Sequence, residues 1–452
     1  MRNCSNYRRR GIDEMISPGV CPATQTPIPL RRATVETALL QSGRWFVASV
    51  LCLAAITGCN QEDSGNAPTT EAGTSVVAEA ATAEAATAEA ATGAEAAAGD
   101  EAAAAEPAAF TIIERVRGLE HPTSLLFLPD GTLLVAERAG ALRRIGGGSF
   151  VSTPLAGVPP VSAQGGLLDI ALSPRFETDG LLYFSYMEPG EDGSAGLAVA
   201  RGILEPLALL DVQVIYRQPE LVLPQETGGR LAFDANRHLF VGSGERSAPD
   251  GIRLSAVSGG ELLRIDAAGQ APRENPFAGR GDGREETWSY GHGSIHGLAF
   301  DPRTGKLWLA ENWSRGGDVI NLPQAGFDYG PKSVDPEPPL PAPAIEEPAQ
   351  SPLVAPQAPH HRWNEPQGLS GMAFYTGRPG APWNDSLFLG SRSGGDLIRL
   401  SLEGDRVVGE ERLLGEPGQP IGDVKVDPRG NIFVLTDEPD GRLLQIVPPA
   451  SR

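Results

Sequence analysis

From residue 110 onward, short apolar runs of strand length alternate with turns rich in glycine, proline and aspartate. Six phrases share one pattern: PDGTLLVAE (129–137), TDGLLYFSY (178–186), ANRHLFVGS (235–243), RTGKLWLAE (303–311), WNDSLFLGS (383–391) and PRGNIFVLT (428–436). Each is a tight turn followed by a strand that ends in small or polar residues. A further apolar run precedes each of them, as in SLLFL, LLDIAL, GRLAF, HGLAF, GMAF and DVKV. Most are followed by a third, as in ALRRI, GELLRI, DVINL, DLIRL and RLLQI. Turn chemistry repeated at intervals of roughly 45–80 residues predicts an all-β, six-bladed β-propeller over residues 110–450. Ring closure would pair the FTIIERV segment near 110–116 with the final strands, which removes exposed sheet edges.

The pattern fails ahead of residue 110, and it fails in two ways. Residues 45–59, WFVASVLCLAAITGC, form one apolar run behind Arg31, Arg32 and Arg44. The run is too short for a lasting membrane span but fits a secretory signal. Its end, Ile56-Thr57-Gly58-Cys59, matches the bacterial lipobox, in which the cysteine is acylated and becomes the first residue. Residues 1–59 are therefore expected to be an N-terminal extension plus lipoprotein signal peptide. Residues 60–109 are an Ala/Glu-rich stretch with ten acidic residues and no basic ones. Alanine and glutamate favour helix, yet no apolar stripe exists to dock one, so this segment is expected to be a disordered tether.

Composition narrows the classes further. The formal net charge is −20, and only three lysines, Lys306, Lys332 and Lys425, occur in the whole chain. That balance argues against a nucleic-acid partner. Of four cysteines, Cys4, Cys21 and Cys52 lie upstream of Cys59. A mature chain would keep one cysteine, acylated, which excludes disulfides and thiolate zinc sites. The expected location is extracytoplasmic, with the propeller lipid-anchored to a bacterial membrane.

Propellers gather function where loops ring the central channel. Candidate loops are Gln164-Gly165-Gly166, Glu226 to Arg230, 291–297, 311–318 and 418–423. The pair His292 and His296 in YGHGSIHG has the H-x-x-x-H spacing of zinc helices. Glycines 291, 293 and 297 surround it, and glycine is a poor helix former, so the segment reads as a loop ahead of a strand. The proline-dense insertion 333–362 is expected to wrap the rim and to carry His360 and His361 as inert surface residues.

Beyond these patterns, QGGLLDIALSPRF, GGRLAFD, ENPF, WSYG, GLAFDPRTGKLW, RGGDVINLPQAGFDYG, SGMAFYTG and IGDVKVDPRGNIFVLTDEPDGRLLQI resemble the pyrroloquinoline quinone-dependent soluble sugar dehydrogenases. This aldose and sorbosone dehydrogenase family consists of six-bladed propellers that oxidise sugar CH–OH groups. The resemblance runs from about residue 115 to 448, and it implies pyrroloquinoline quinone and calcium as cofactors. It also implies site positions. Glu226 stands where the family has its base histidine. Gln164, Arg230, Arg315, Asp423 and Asp437 stand at retained channel-face positions. Trp313, Ser314 and Tyr329 stand at calcium positions.

Several family side chains are replaced. Gly293 and Ser294 take the place of the arginine and asparagine that hold the quinone, and His296 that of a glutamine. Pro420 and Gly422 replace two arginines, Val319 a glutamate, and Ser393, beside Arg392, a lysine. A tricarboxylated quinone needs cationic partners, because burying unpaired carboxylates costs several kcal/mol each. The replacements therefore imply a degenerate quinone site. Three functions remain open on the residues alone: a quinone-dependent sugar oxidoreductase with Glu226 as base; a metal-assisted lactonase or hydrolase using Glu226, Glu311, Asn312 and Asp318; or a non-catalytic carbohydrate- or peptide-binding module.

The anchor is directly testable. One acyl chain gives marginal membrane binding and two give stable binding. Cys59→Ser is expected to move the protein from the membrane fraction to the soluble fraction. Equal membrane retention of variant and wild type would contradict the anchor.

Overall fold

The computed structural model describes the backbone of residues 76–78 and 149–150 and residues 110–146, 154–219, 227–244, 260–281, 283–313, 317–330, 357–377, 381–415 and 419–449. The expected signal peptide, tether and acylated Cys59 lie outside the described residues, apart from a short backbone strand at Val76–Ala78.

Six antiparallel sheets form the blades. Their innermost strands are, in order, Pro122–Phe127, Leu167–Leu172, Gly228–Phe233, Ser294–Phe300, Leu369–Phe374 and Ile421–Val426. Each of these six touches its two neighbours, so the ring is closed. The second strands are the six repeated phrases, with bounds such as Leu133–Glu137 and Ile432–Thr436. Alternating apolar residues on adjacent blades interlock between sheets. Leu134, Leu142, Leu182 and Phe184 fill one such layer, and Trp308, Leu369, Leu387 and Ile398 another.

Closure occurs where it was expected. Phe110–Leu119 pairs antiparallel with the last strand, Gly441–Val447, in the register Ile112↔Ile446 and Val116↔Leu443. The first described strand of the domain thus becomes the fourth strand of the final blade, and Phe110 packs against Trp383 at 6.1 Å between centroids.

Two local readings differ. His292 and His296 are not in a loop: His292 ends the strand Thr287–His292 and His296 lies inside the inner strand Ser294–Phe300, with Gly293 as the break between blades. The insertion does more than wrap the rim. Its end, His361–Arg362, is the outermost strand of the fourth blade, while residues 331–356 lie outside those described.

One irregularity recurs in all six blades. The pairing of each inner strand with its second strand shifts register near the start: at Pro122/Ser124, Leu167/Asp169, Gly228/Leu231, Ile295/Gly297, Ser370/Met372 and Ile421/Asp423. A bulge leaves a residue unpaired and re-aims its side chain. The residues skipped here include Thr123, Leu168, Arg230, His296 and Gly422, at equivalent positions around the channel.

The closing strand carries buried Phe110, Val116 and Leu119. A chain beginning at residue 120 is expected to melt at least about 10 °C below one beginning at residue 108, since several kcal/mol of burial would be lost and an edge exposed. Thermal unfolding followed by circular dichroism reads the difference, and equal midpoints would contradict closure by this segment.

Candidate functional site

The bulges place polar residues on the channel axis, and their hydrogen bonds run round the whole ring. Thr123 donates to the Leu167 carbonyl (2.9 Å) and Ser124 to Asp169 (2.5 Å), joining the first and second blades. Asp169 accepts from the Leu231 amide of the third blade (2.8 Å). Arg230 Nε donates to the His296 carbonyl of the fourth (2.8 Å). Asn312 donates to the Leu369 carbonyl (2.9 Å), Ser370 to the Ile421 carbonyl, and the Leu125 amide to Asp423 (3.0 Å), which returns to the first blade.

Arg230 sits at the centre of this ring, 5% exposed. Besides His296, it donates to Asp423 Oδ1 (3.1 Å) and the Gly422 carbonyl (3.0 Å), and lies 3.5 Å from Asp169 Oδ1. Asp169 and Asp423 are 2% and 0% exposed. Two buried carboxylates are stable here because one guanidinium serves both and backbone amides fill their remaining lone pairs. Arg230 and Asp423, two of the retained channel positions, are thus brought together as structural partners.

Above them opens a cavity of about 440 Å³. Its walls come from inner-strand starts (Thr123, Leu168, Arg230, His296) and from residues at the end of second strands or just beyond them (Asn312, Arg138, Arg392, Asp437). In a meander blade these two sets of residues lie on the same face of the ring. Asp437, 9% exposed at its side chain, is the hub of the upper wall. It bonds Arg138 through Oδ2 and His121 Nδ1 through Oδ1 (3.0 Å), and Arg392 Nε lies 3.6 Å from Oδ2. Arg392 also reaches His296 Nδ1 at 3.4 Å. His121 is held at φ 44°, a conformation that non-glycine residues adopt at some cost and that recurs near binding sites.

A second cluster lies beside the cavity and is sealed. Ser289 Oγ is 2.8 Å from His292 Nε2, and His292 Nδ1 is 2.8 Å from Glu311 Oε1, in the order of a Ser–His–carboxylate triad. All three residues are 0% exposed. Glu311 also accepts from the Gly293 amide and from Asn321, and His292 stacks on Tyr329 at 4.7 Å. No substrate reaches this serine. The group fastens the third blade to the fourth. Asp318, likewise buried, accepts from the amides of Trp313, Gln367 and Gly368, and burial pushes its carboxyl above the usual carboxylate range against those bonds.

Of the positions read from sequence, Arg230 and Asp437 line the cavity and Asp423 lies directly beneath. Gln164 is exposed in the turn between Ala163 and Gly165, which do line it. Glu226, Ser314 and Arg315 lie outside the described residues. Tyr329 is 4% exposed, its hydroxyl donating to the Leu322 carbonyl and accepting from the Gln324 amide. Trp313 lies over Gly293: a Cβ there would meet Asn312 O at 2.6 Å and the indole at 3.1 Å. The metal set considered for a hydrolase does not assemble, since Glu311 and Asp318 are committed to other partners. Among the described residues no metal-holding cluster occurs.

Sequence reading missed Arg138 and Thr123 as wall residues and His121 behind them, and named Arg392 only as the neighbour of Ser393. Arg138 directly follows the first repeated phrase, as Arg392 follows the fifth and Asp437 the sixth. Alignment of the six phrases by their ends would have nominated all three.

The Glucose / Sorbosone dehydrogenase family model matches residues 119–445. The chain belongs to this family. The aldose sugar dehydrogenase YliI of Escherichia coli K12, a curated relative, is 39% identical over 337 residues, covering 73% of this chain and 91% of that protein. A solved glucose dehydrogenase is 41% identical with a TM-score of 0.65, covering 74% of this chain and 98% of that one. The apo-form aldose sugar dehydrogenase from E. coli matches at 35% identity and TM-score 0.67, over 75% of this chain and 99% of that one. This sugar dehydrogenase family member therefore keeps the scaffold along its full matched length.

Arg230→Met is expected to remove the guanidinium that Asp169 and Asp423 share, with Lys425 left 3.5 Å from Asp423 Oδ2, costing about 3–5 kcal/mol. Denaturant unfolding measures the loss. Adding Asp423→Asn to that variant should recover part of it. Failure of the double variant to recover any stability would show that the arginine acts through packing alone.

Proposed function

We propose that the protein is an extracytoplasmic, lipid-anchored member of the sugar dehydrogenase family whose channel cavity takes a sugar-sized ligand. In this reading the quinone-binding constellation of the family has been remodelled. The observation that carries it is the pairing of Gly293 with Trp313. The family motif has an arginine where Gly293 stands, and Trp313 stands where a glycine supplies a calcium-holding carbonyl. A Cβ at 293 would meet the Asn312 carbonyl oxygen at 2.6 Å and the Trp313 indole at 3.1 Å, so backbone and ring together crowd any side chain at that position.

Three further observations support the reading. A Cβ at Gly422, in place of a family arginine, would approach Pro122 O at 2.7 Å, and the Gly422 carbonyl is spent on Arg230. The donors of Arg230 are directed to protein groups on the fourth and sixth blades, with Asp169 of the second blade 3.5 Å away. Arg138 and Arg392 share Asp437. Among the described wall residues, the cations left for a tricarboxylate are too few. In this reading pyrroloquinoline quinone does not match the charges of the described wall residues. The cavity retains the size and the hydrogen-bonding wall suited to a hydroxylated ligand, with Thr123, Thr227, His296 and Asn312 on its surface.

Each charge-assisted bond to a carboxylate contributes roughly 1.5–3 kcal/mol. The absence of three family arginines is expected to weaken quinone binding by about three to six powers of ten. Titration of the protein with pyrroloquinoline quinone in the presence of calcium, followed by dye reduction with a panel of aldoses, measures this. Micromolar binding with sugar-dependent turnover would restore the oxidoreductase reading, with Glu226 as the base to test first.

A further inference from the structure

An uncovered sheet edge is a template for another strand, and blades one to five each limit theirs. The outermost strands of the first and fourth, Ser149–Phe150 and His361–Arg362, are two residues long. That of the second, Leu209–Arg217, is broken by register shifts at Leu210/Gln213 and Val214/Tyr216. That of the third, Thr287–His292, is covered by residues 326–329, with the Gly326 amide on the Trp288 carbonyl and the Tyr329 amide on the Tyr290 carbonyl. That of the fifth, Arg406–Leu413, carries Arg406, Glu410, Glu411 and Arg412. The sixth blade differs. Its fourth strand, Phe110–Leu119, has exposed Glu114, Arg115 and Arg117 in its later part, but Phe110, Thr111, Ile112 and Ile113 are uncharged. On that uncharged part lies a fifth strand. Val76–Ala78 pairs with it antiparallel, in the register Val76↔Ile112, Val77↔Thr111 and Ala78↔Phe110. This strand comes from the Ala/Glu-rich stretch 60–109, in which Val76 and Val77 are the only valine, isoleucine, leucine or aromatic residues. Branched side chains favour extended backbone. The one place in the stretch suited to a strand is the place that forms one.

We propose that the Phe110–Ile112 edge is a strand-docking site and that Val76–Ala78 of the same molecule is its occupant, clipping the tether to the closing blade. Main-chain hydrogen bonds carry such strand addition, so an extended, uncharged segment is the partner that fits. The same molecule supplies it most readily. Loop-closure entropy grows only logarithmically with length, and a flexible linker presents its end at an effective concentration on the order of millimolar. A second copy at micromolar concentration is outcompeted. The clip also changes the reach of the anchor. With the strand docked, residues 60–75 rather than 60–109 separate Cys59 from the domain. At about 3.4 Å per residue the greatest span falls from roughly 170 Å to roughly 55 Å. That consequence rests on the Cys59 anchor, whereas the docking does not.

The test is hydrogen–deuterium exchange of the full-length protein in detergent, read peptide by peptide. Exchange over residues 76–78 is expected to be about ten-fold or more slower than in an unstructured peptide of the same sequence. Val76→Pro/Val77→Pro removes two ladder amides. It should speed exchange of the edge-facing amides of residues 110–113 by a similar factor, while Ala85→Pro/Ala86→Pro leaves them unchanged. A second measurement uses oxidation. Val77→Cys/Thr111→Cys puts cysteines on facing residues, within the span of a disulfide. It is expected to cross-link within one molecule about ten-fold or more faster than Ala86→Cys/Thr111→Cys. Thermal melts establish that each variant is folded, and the cysteine pair decides the matter should the proline pair disturb the blade. Exchange over 76–78 at the unstructured rate would overturn the proposal, as would equal effects of the two proline pairs or equal cross-linking rates. A cross-linked dimer in place of the monomer would overturn it too, assigning the strand to a second copy. Failure of Cys59→Ser to release the protein from the membrane would remove the anchor and its reach alone, leaving the docked strand standing.

Discussion

Arg230 is the interaction on which the rest of the channel depends. One guanidinium reaches the fourth blade through the His296 carbonyl, the sixth through Asp423 and Gly422, and the second through Asp169. A propeller ring can slip or splay at any inter-blade seam, because apolar layers between sheets are non-directional. Directional bonds at the axis remove that freedom. The two carboxylates gain further amide partners, Leu125 and Leu231, which tie the buried network to the first and third blades. A cavity floor made this way is stiff, and it holds the wall residues above it in register.

The repeated bulge explains how one blade design yields a site. Six inner strands each skip a residue near the start, and the skipped position faces the axis. The fold supplies the positions, and the residues at them decide the chemistry. At the third blade that position carries an arginine, at the fourth a histidine, at the sixth a glycine whose carbonyl accepts from Arg230. A family that shares these bulges can exchange ligands by changing a handful of side chains, with no effect on the seams. The Gly293 and Trp313 pair fits this account: Gly293 lies between the third and fourth blades and Trp313 just after the second strand of the fourth, and neither contributes to the ring of axial hydrogen bonds.

Ser289, His292 and Glu311 give a useful contrast. Their order and distances are those of a nucleophile, base and orienting carboxylate, yet burial removes any chemistry. At the upper wall, Asp437, His121, Arg138 and Arg392 are less regular but reach solvent. Exposure to a cavity, rather than arrangement alone, separates the candidate site from the structural network.

Much of the fold was legible in the chain. The six phrases from PDGTLLVAE to PRGNIFVLT became six second strands, and the runs before them became six inner strands, because period-2 alternation and turn residues are local properties. Closure by residues 110–119 could be foreseen too, since an unpaired final edge demands a partner. The site was legible only in part. Arg230, Asp423 and Asp437 could be named, but their roles could not. Whether an arginine faces a ligand or is spent on carbonyls depends on residues 66 and 192 positions away in the chain. Whether H-x-x-x-H forms a pair depends on a blade boundary at Gly293, which separates two histidines that spacing alone places together. The sequence by itself determined the repeat, the strands and the lineage, all of which follow from short-range pattern. The tertiary structure decided which charged groups meet one another, because their pairing is set by distances across the ring.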